Sequence, residues 1–173
     1  MNKAVFLDRD GIINEEIGDY VYDLPSFRIV DGVIELLKGL KEKGFILIVI
    51  TNQAGIAKGR YGHAEVKKLH DYFQEQSGHL IDKFYYAYHH PDYTSESLSR
   101  KPGSLLFEKA IARYQIDVSK SWMVGDKERD LIPARKLSIR TVRVFLNGFY
   151  KEGEETIGDF HVNEVKKLAS IIG

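Results

Sequence analysis

The chain has no cysteine among its 173 residues. Disulfides, thiolate metal sites and cysteine nucleophiles are therefore excluded, and a reducing compartment is compatible with the composition. It also lacks a charge of one sign: Lys plus Arg and Asp plus Glu are 25 each. Without a global basic field, nucleic acid and anionic membrane surfaces are not expected partners. No run approaches the 18 or so apolar residues of a membrane span, and "MNKAVFLDRDG" has no apolar stretch of signal-peptide length. A cytoplasmic location is the resulting expectation. What is present is an ordinary globular mixture, 43% hydrophobic and 29% charged, long enough for one domain over residues 1–173. Repeats, low-complexity tracts and linkers are not apparent.

Strand-like and helix-like patterns alternate along the chain. "KAVFLD" (3–8), "GFILIVIT" (44–51), "DKFYYAYHH" (82–90), "SWMVGD" (121–126) and "IRTVRVF" (139–145) read as strands. Helical spacing marks 31–44, with Gly44 as its stop, and also 63–78, 103–115 and the closing "NEVKKLASIIG". The alternation predicts an α/β fold: a Rossmann-like parallel sheet in three layers. In such sheets ligands bind at the carboxyl ends of strands. Polar residues cluster there: Asp8 and Asp10, Thr51 and Asn52, His89 and His90, and Asp126.

Asp8 and Asp10 are like charges one residue apart, and such proximity costs energy unless a cation or shared proton relieves it. With Asp126 as a third carboxylate, a part-filled Mg²⁺ site is expected on Asp8, Asp10 and Asp126, leaving room for water and phosphate oxygens. The loop in "ITNQAGIAKGRYG" can aim N–H groups and the Thr51 hydroxyl at a phosphate, which puts Asn52, Gln53 and Ala54 against the substrate. Lys101, in the bend of "SRKPG", is a point charge suited to a phosphoryl group. Together these residues describe phosphoryl transfer. One aspartate attacks to form an acyl phosphate, and another moves the proton.

The ordered set "FLDRDG", "ITNQAGIA", "RKPG" and "VGDKERD" resembles the haloacid dehalogenase superfamily of aspartate-nucleophile phosphatases. The similarity is strongest to the branch of heptose bisphosphate and histidinol-phosphate phosphatases, and it spans nearly the whole chain. The resemblance implies Asp8 as nucleophile, Asp10 as general acid/base, Thr51 and Lys101 on the phosphoryl group, and Asp126 on Mg²⁺. It also implies Arg100 and Lys127 at the substrate. The substrate expected is a small sugar phosphate, with the C7 phosphate of a heptose 1,7-bisphosphate ahead of histidinol phosphate; Arg60 is available to an additional phosphate.

Residues 12–30 and 90–100 are too short for an inserted cap domain. The fold should therefore be essentially capless, with loops 14–20, 53–62 and 89–100 walling the site, as a monomer or small homo-oligomer. The branch typically carries a zinc loop of cysteines and histidine. Here Ala87, Ser97 and Ser99 occupy the cysteine positions, so no structural zinc is expected. A receiver-type signalling domain shares the acidic pair and the lysine, but it needs its phospho-acceptor aspartate at the end of the third strand. "YYAYHHP" supplies none.

Overall fold

The computed structural model describes residues 1–146 and 156–173. Six parallel strands form one sheet: β1 (Ala4–Leu7), β2 (Ile46–Asn52), β3 (Lys83–Ala87), β4 (Trp122–Gly125), β5 (Arg140–Val144) and β6 (Phe160–Val162), in the order β3-β2-β1-β4-β5-β6. Five helices connect or close them: α1 (Val33–Glu42), α2 (His63–Ser77), α3 (Leu105–Tyr114), α4 (Glu128–Lys136) and α5 (Leu168–Ile171). None of the described helices is long and apolar enough to cross a membrane.

The two-residue period of β1 sorts its side chains between two cores. Val5 and Leu7 join α1, Leu69 and Phe73 of α2, and Leu168 of α5 on one face. Ala4 and Phe6 join Leu106, Phe107 and Ala110 of α3 and Leu131 and Ala134 of α4 on the other. All four β1 residues are fully buried, which is why "AVFL" is apolar throughout and not alternating. Helix α1 buries Val33, Leu36, Leu37 and Leu40 as one stripe. It stops just before Gly44, whose φ of +82° suits a residue without a Cβ.

Two elements were not legible in the sequence. Helix α4 carries Pro133 in its interior, a residue that argues against helix; its real signal is the buried pair Leu131 and Ala134. Strand β6 has three residues, too few for a period. Two readings also shift. The C-terminal helix is a 3₁₀ turn at Val165–Lys167 followed by α5. Strand β3 ends at Ala87, so His89 and His90 lie beyond it in a loop and not at the strand end.

From β1 the chain runs one way through β2 and β3, and from β4 it runs the other way through β5 and β6. The strand order therefore reverses between β1 and β4, the place where α/β sheets open a crevice. Asp8 follows β1 and Asp126 follows β4 at that point.

Candidate active site

The Asp8 backbone N–H donates to the Val124 carbonyl at 3.0 Å, which ties the end of β1 to β4. The chain then turns sharply, with the N–H groups of Ile12, Ile13 and Asn14 all directed at the Arg9 carbonyl. Gly11 closes this turn at φ +88°, and a Cβ there would lie 2.8 Å from the Asp126 carboxylate. Glycine is required at 11 because Asp126 occupies the space beside it.

Lys101 is buried beneath Asp8. Its Nζ donates to Asp8 Oδ1 at 2.8 Å and to the Ile50 carbonyl at 2.7 Å, and it stands 2.8 Å from Asp130 Oδ1. Asn52 holds the lysine's backbone in place: its Nδ2 donates to the Lys101 carbonyl and its Oδ1 accepts from the Lys101 N–H, both at 3.0 Å. Asn52, expected against substrate, lines the cavity over Asp8 with both ends of its amide committed to Lys101. The lysine stays charged. Burial opposes the charge, but Asp130 and Asp8 together raise its pKa above the ordinary value.

Asp130 is the residue that sequence reasoning missed. It closes "VGDKERD" and accepts from the Lys127 N–H at 3.0 Å as part of the α4 cap, so its ordinary reading is a helix start. Its side chain is nevertheless fully buried. Among the described residues, Asp8, Asp126 and Asp130 form the one group of metal-ligating type, with ligand oxygens all within 4.8 Å of one another. Of the expected trio of Asp8, Asp10 and Asp126, the structure brings the Asp8 and Asp126 carboxylates together and adds Asp130 to the group. Asp10 stands outside it because its carboxylate is turned to other partners: Arg9 Nη2 at 2.7 Å, Asn14 Nδ2 at 3.0 Å and Gln53 Nε2 at 3.2 Å.

The trio fits a divalent cation. Burial, then repulsion from Asp130, pushes the Asp8 carboxyl up to about 6 against the pull of Lys101. Burial, then Asp8 and Asp130, pushes Asp126 up to about 8. Asp126 Oδ1 is buried with no hydrogen-bond partner. An orphaned carboxylate oxygen among mutually repelling acids is what a hard cation relieves.

A cavity of about 570 Å³ opens over Asp8, Thr51 and Lys101. Glu16, Gly18, Asp19 and Tyr20 wall one side, and Gln53 and Tyr61 another, so loops 14–20 and 53–62 act as expected. Loop 89–100 contributes nothing to the lining; it touches the 53–62 loop where Lys58 lies 5.3 Å from the Tyr93 ring. Within it, Ser95 is 3.3 Å from His89 Nδ1 and the Ser97 and Ser99 hydroxyls are 2.7 Å apart. Ala54 is buried outside the lining.

Lys127 lines the cavity, paired with Glu16 at 2.5 Å. Arg129, a second residue missed from sequence, lines it as well. Arg100 is half-buried just off the lining; its Nη1 has no hydrogen-bond partner, and burial and then Arg129 lower its pKa. Arg60 is less available than expected, since it lies 3.5 Å from Asp19 and against the Tyr20 ring.

A buried aspartate–lysine pair at the switch point of a parallel sheet, beside a three-carboxylate cluster, defines a class, and sequence comparison agrees with it. The family model for haloacid dehalogenase-like hydrolases matches residues 11–144, and the chain belongs to that family. Within it the chain falls with the phosphatases. It is 38% identical over 180 residues to a D-glycero-beta-D-manno-heptose-1,7-bisphosphate 7-phosphatase of Haemophilus ducreyi, covering 98% of each chain. The enzyme of the same name from Escherichia coli is 38% identical over 178 residues, covering 98% of this chain and 93% of that one. A D,D-heptose 1,7-bisphosphate phosphatase of B. bronchiseptica, crystallised with magnesium and phosphate, superposes with a TM-score of 0.82 at 23% identity, covering 98% and 97%. At that identity the likeness is one of fold.

Proposed function

We propose that this phosphatase removes the C7 phosphate of D-glycero-D-manno-heptose 1,7-bisphosphate, with Mg²⁺ as cofactor and an aspartyl phosphate on Asp8 as intermediate. The observation that carries the reading is the buried Asp8–Lys101 pair in a cavity that Asp10 and Thr51 also line. The names of the relatives support the substrate, and so does the cationic side of the cavity formed by Lys127 and Arg129 with Arg100 nearby.

Asp8 attacks phosphorus, forming an Asp8 oxygen–phosphorus bond while the bond to the sugar oxygen breaks. Lys101 holds the attacking carboxylate in position, and Thr51 directs its hydroxyl at the phosphoryl oxygens. Asp10 gives a proton to the departing alkoxide. In the free site Arg9, Asn14 and Gln53 keep Asp10 below the usual carboxylate range despite its burial. The proton therefore arrives with the substrate: a phosphate monoester has a second pKa near about 6 and brings one in its monoanion. In the second half, Asp10 takes a proton from water, the water oxygen attacks phosphorus, and Asp8 is released as a carboxylate. Held by Asp8, Asp126 and Asp130, Mg²⁺ would supply charge to offset the phosphoryl oxygens and the acids around it.

A substrate panel tests the assignment. Phosphate release should be fastest from a heptose 1,7-bisphosphate anomer, should cease on exhaustive chelation, and should return with magnesium. Faster release from histidinol phosphate would move the substrate, and full activity without metal would remove the cofactor.

A further inference from the structure

Gln53 touches both Asp10 and Thr51, and the charge on Asp10 favours one facing of its amide. The Nε2 group donates to Thr51 Oγ1 at 2.9 Å and to Asp10 Oδ2 at 3.2 Å. Both of its hydrogens are thereby used, and the side chain is 1% exposed. Rotation of the amide by half a turn would set Oε1 against an ionised carboxylate, acceptor against acceptor. The remaining atom, Oε1, accepts from the Tyr61 hydroxyl at 2.7 Å.

Tyr61 is itself held from three sides. Its ring stacks on Tyr22 with centroids 5.5 Å apart and meets Tyr20 edge-on at 5.8 Å. The third side is Gly55, where a Cβ would stand 2.0 Å from the tyrosine Cε1 and 2.6 Å from Cζ. No residue with a side chain fits at 55 while the ring stays there. Burial pushes the Tyr61 hydroxyl up to about 12, so it remains a donor at any working pH.

We propose that Tyr61 is a positioning residue for the proton-transferring aspartate: by donating to Gln53 Oε1 it locks the amide with its N–H groups on Asp10 and Thr51. Asp10 is then held at one angle to the leaving oxygen, between Arg9 and Asn14 on one carboxylate oxygen and Gln53 on the other. The argument rests on Asp10 acting as the acid/base, as proposed above. The cavity wall at 16–21 and Asp10 are joined through this ring, because Tyr61 meets Tyr20 of that wall edge-on.

The test compares kcat/KM for two leaving groups, since a poor alkoxide needs its proton and p-nitrophenolate hardly does. With the best alkyl phosphate of the panel, Tyr61→Phe should lose about three- to tenfold, the worth of one hydrogen bond, in kcat with KM within about twofold. The loss with p-nitrophenyl phosphate should be several times smaller. Gly55→Ala, which keeps the hydroxyl but displaces the ring, should match Tyr61→Phe. In a Gln53→Leu background, Tyr61→Phe should add nothing further. Equal losses on both leaving groups, or effects of Tyr61→Phe and Gln53→Leu that multiply, would overturn the relay. Asp10→Asn separates the two levels, because full activity of that variant on the alkyl ester would remove the acid/base assignment itself.

Discussion

Asp8 and Asp10 leave the same strand on either side of one arginine, and their surroundings are opposite. Around Asp8 the neighbours are mostly acids: Asp130, Asp10 and Asp126, with Lys101 as the one cation bonded to it. Asp10 is instead surrounded by hydrogen-bond donors on both of its oxygens: Arg9, Asn14 and Gln53. One carboxyl is driven up to about 6 and the other is held below its ordinary range. The side of Asp8 is built short of positive charge and the side of Asp10 is built complete. On the function proposed above, a cation and a phosphoryl group would supply the first side with its missing partners, whereas the second must work with the partners it already has. That difference would divide the labour, with attack and metal on one side and the proton on the other.

The largest effect should come from breaking the incomplete side. Asp8→Asn removes the attacking oxygen's charge, and steady-state phosphate release should fall to background while far-ultraviolet circular dichroism stays native. Measurable turnover by a variant whose mass confirms the amide would end the covalent route. Next is the complete side. Asp10→Asn keeps the shape of the Arg9 contact but cannot move a proton, and should lose roughly 10²–10⁴-fold in kcat. If the two variants lost equal amounts, with no residual activity in either, the division of roles would not stand.

This asymmetry was only half visible in the sequence. Strands β1 to β5 and the four motifs were legible because burial on both faces leaves largely apolar runs, and because polar residues then mark the strand ends. "DRDG" alone gives two identical letters. What separates them is partners brought from elsewhere: Asp130 from inside α4, Lys101 from a bend more than ninety residues on, and Asn14 from the next turn. Asp130 was hidden because an acid three residues into a helix already has an explanation as a cap. Asn52 lines the cavity, but its reciprocal bonds to the Lys101 backbone were not readable from a polar strand end.

A smaller effect should sharpen the view of the incomplete side at its rim. Arg129 lines the cavity with Arg100 beside it, neither has an acid paired with it among the described contacts, and on the proposed function they would meet the second phosphate. Arg129→Ala and Arg100→Ala should each raise KM for the heptose bisphosphate by about tenfold, the worth of one charge-assisted hydrogen bond. A monophosphate should change by less than about twofold. Equal changes on both esters would place these arginines on the transferring phosphoryl group instead.

The smallest effect tests how closely the charge around Asp10 is balanced, and it concerns stability alone. His70 of α2 is 6% exposed and stacks on Phe84 with ring centroids 4.3 Å apart. Burial, then the nearby Arg9 charge, pushes its pKa down to about 3, with Asp10 and Asp71 pulling the other way. A proton on His70 would add a second cation beside an arginine whose charge Asp10 already answers, and its Nε2 has no hydrogen-bond partner to receive one. The folded protein therefore keeps His70 neutral while the unfolded chain takes a proton near pH 6.5. Stability from this group is full above 6.5 and is lost as the pH falls from there toward 3, at up to about 1.4 kcal/mol per pH unit. Urea unfolding in saturating magnesium, which keeps the acidic cluster from adding its own opposite dependence, should show a loss of roughly 2 kcal/mol between pH 6.5 and 5. In His70→Phe, which retains a ring against Phe84 and has nothing to protonate, that loss should disappear while kcat at pH 7 stays within about twofold. A variant as acid-sensitive as the wild type would mean that His70 finds room for its proton, and that the charge around Asp10 is less closely balanced than its hydrogen bonds imply.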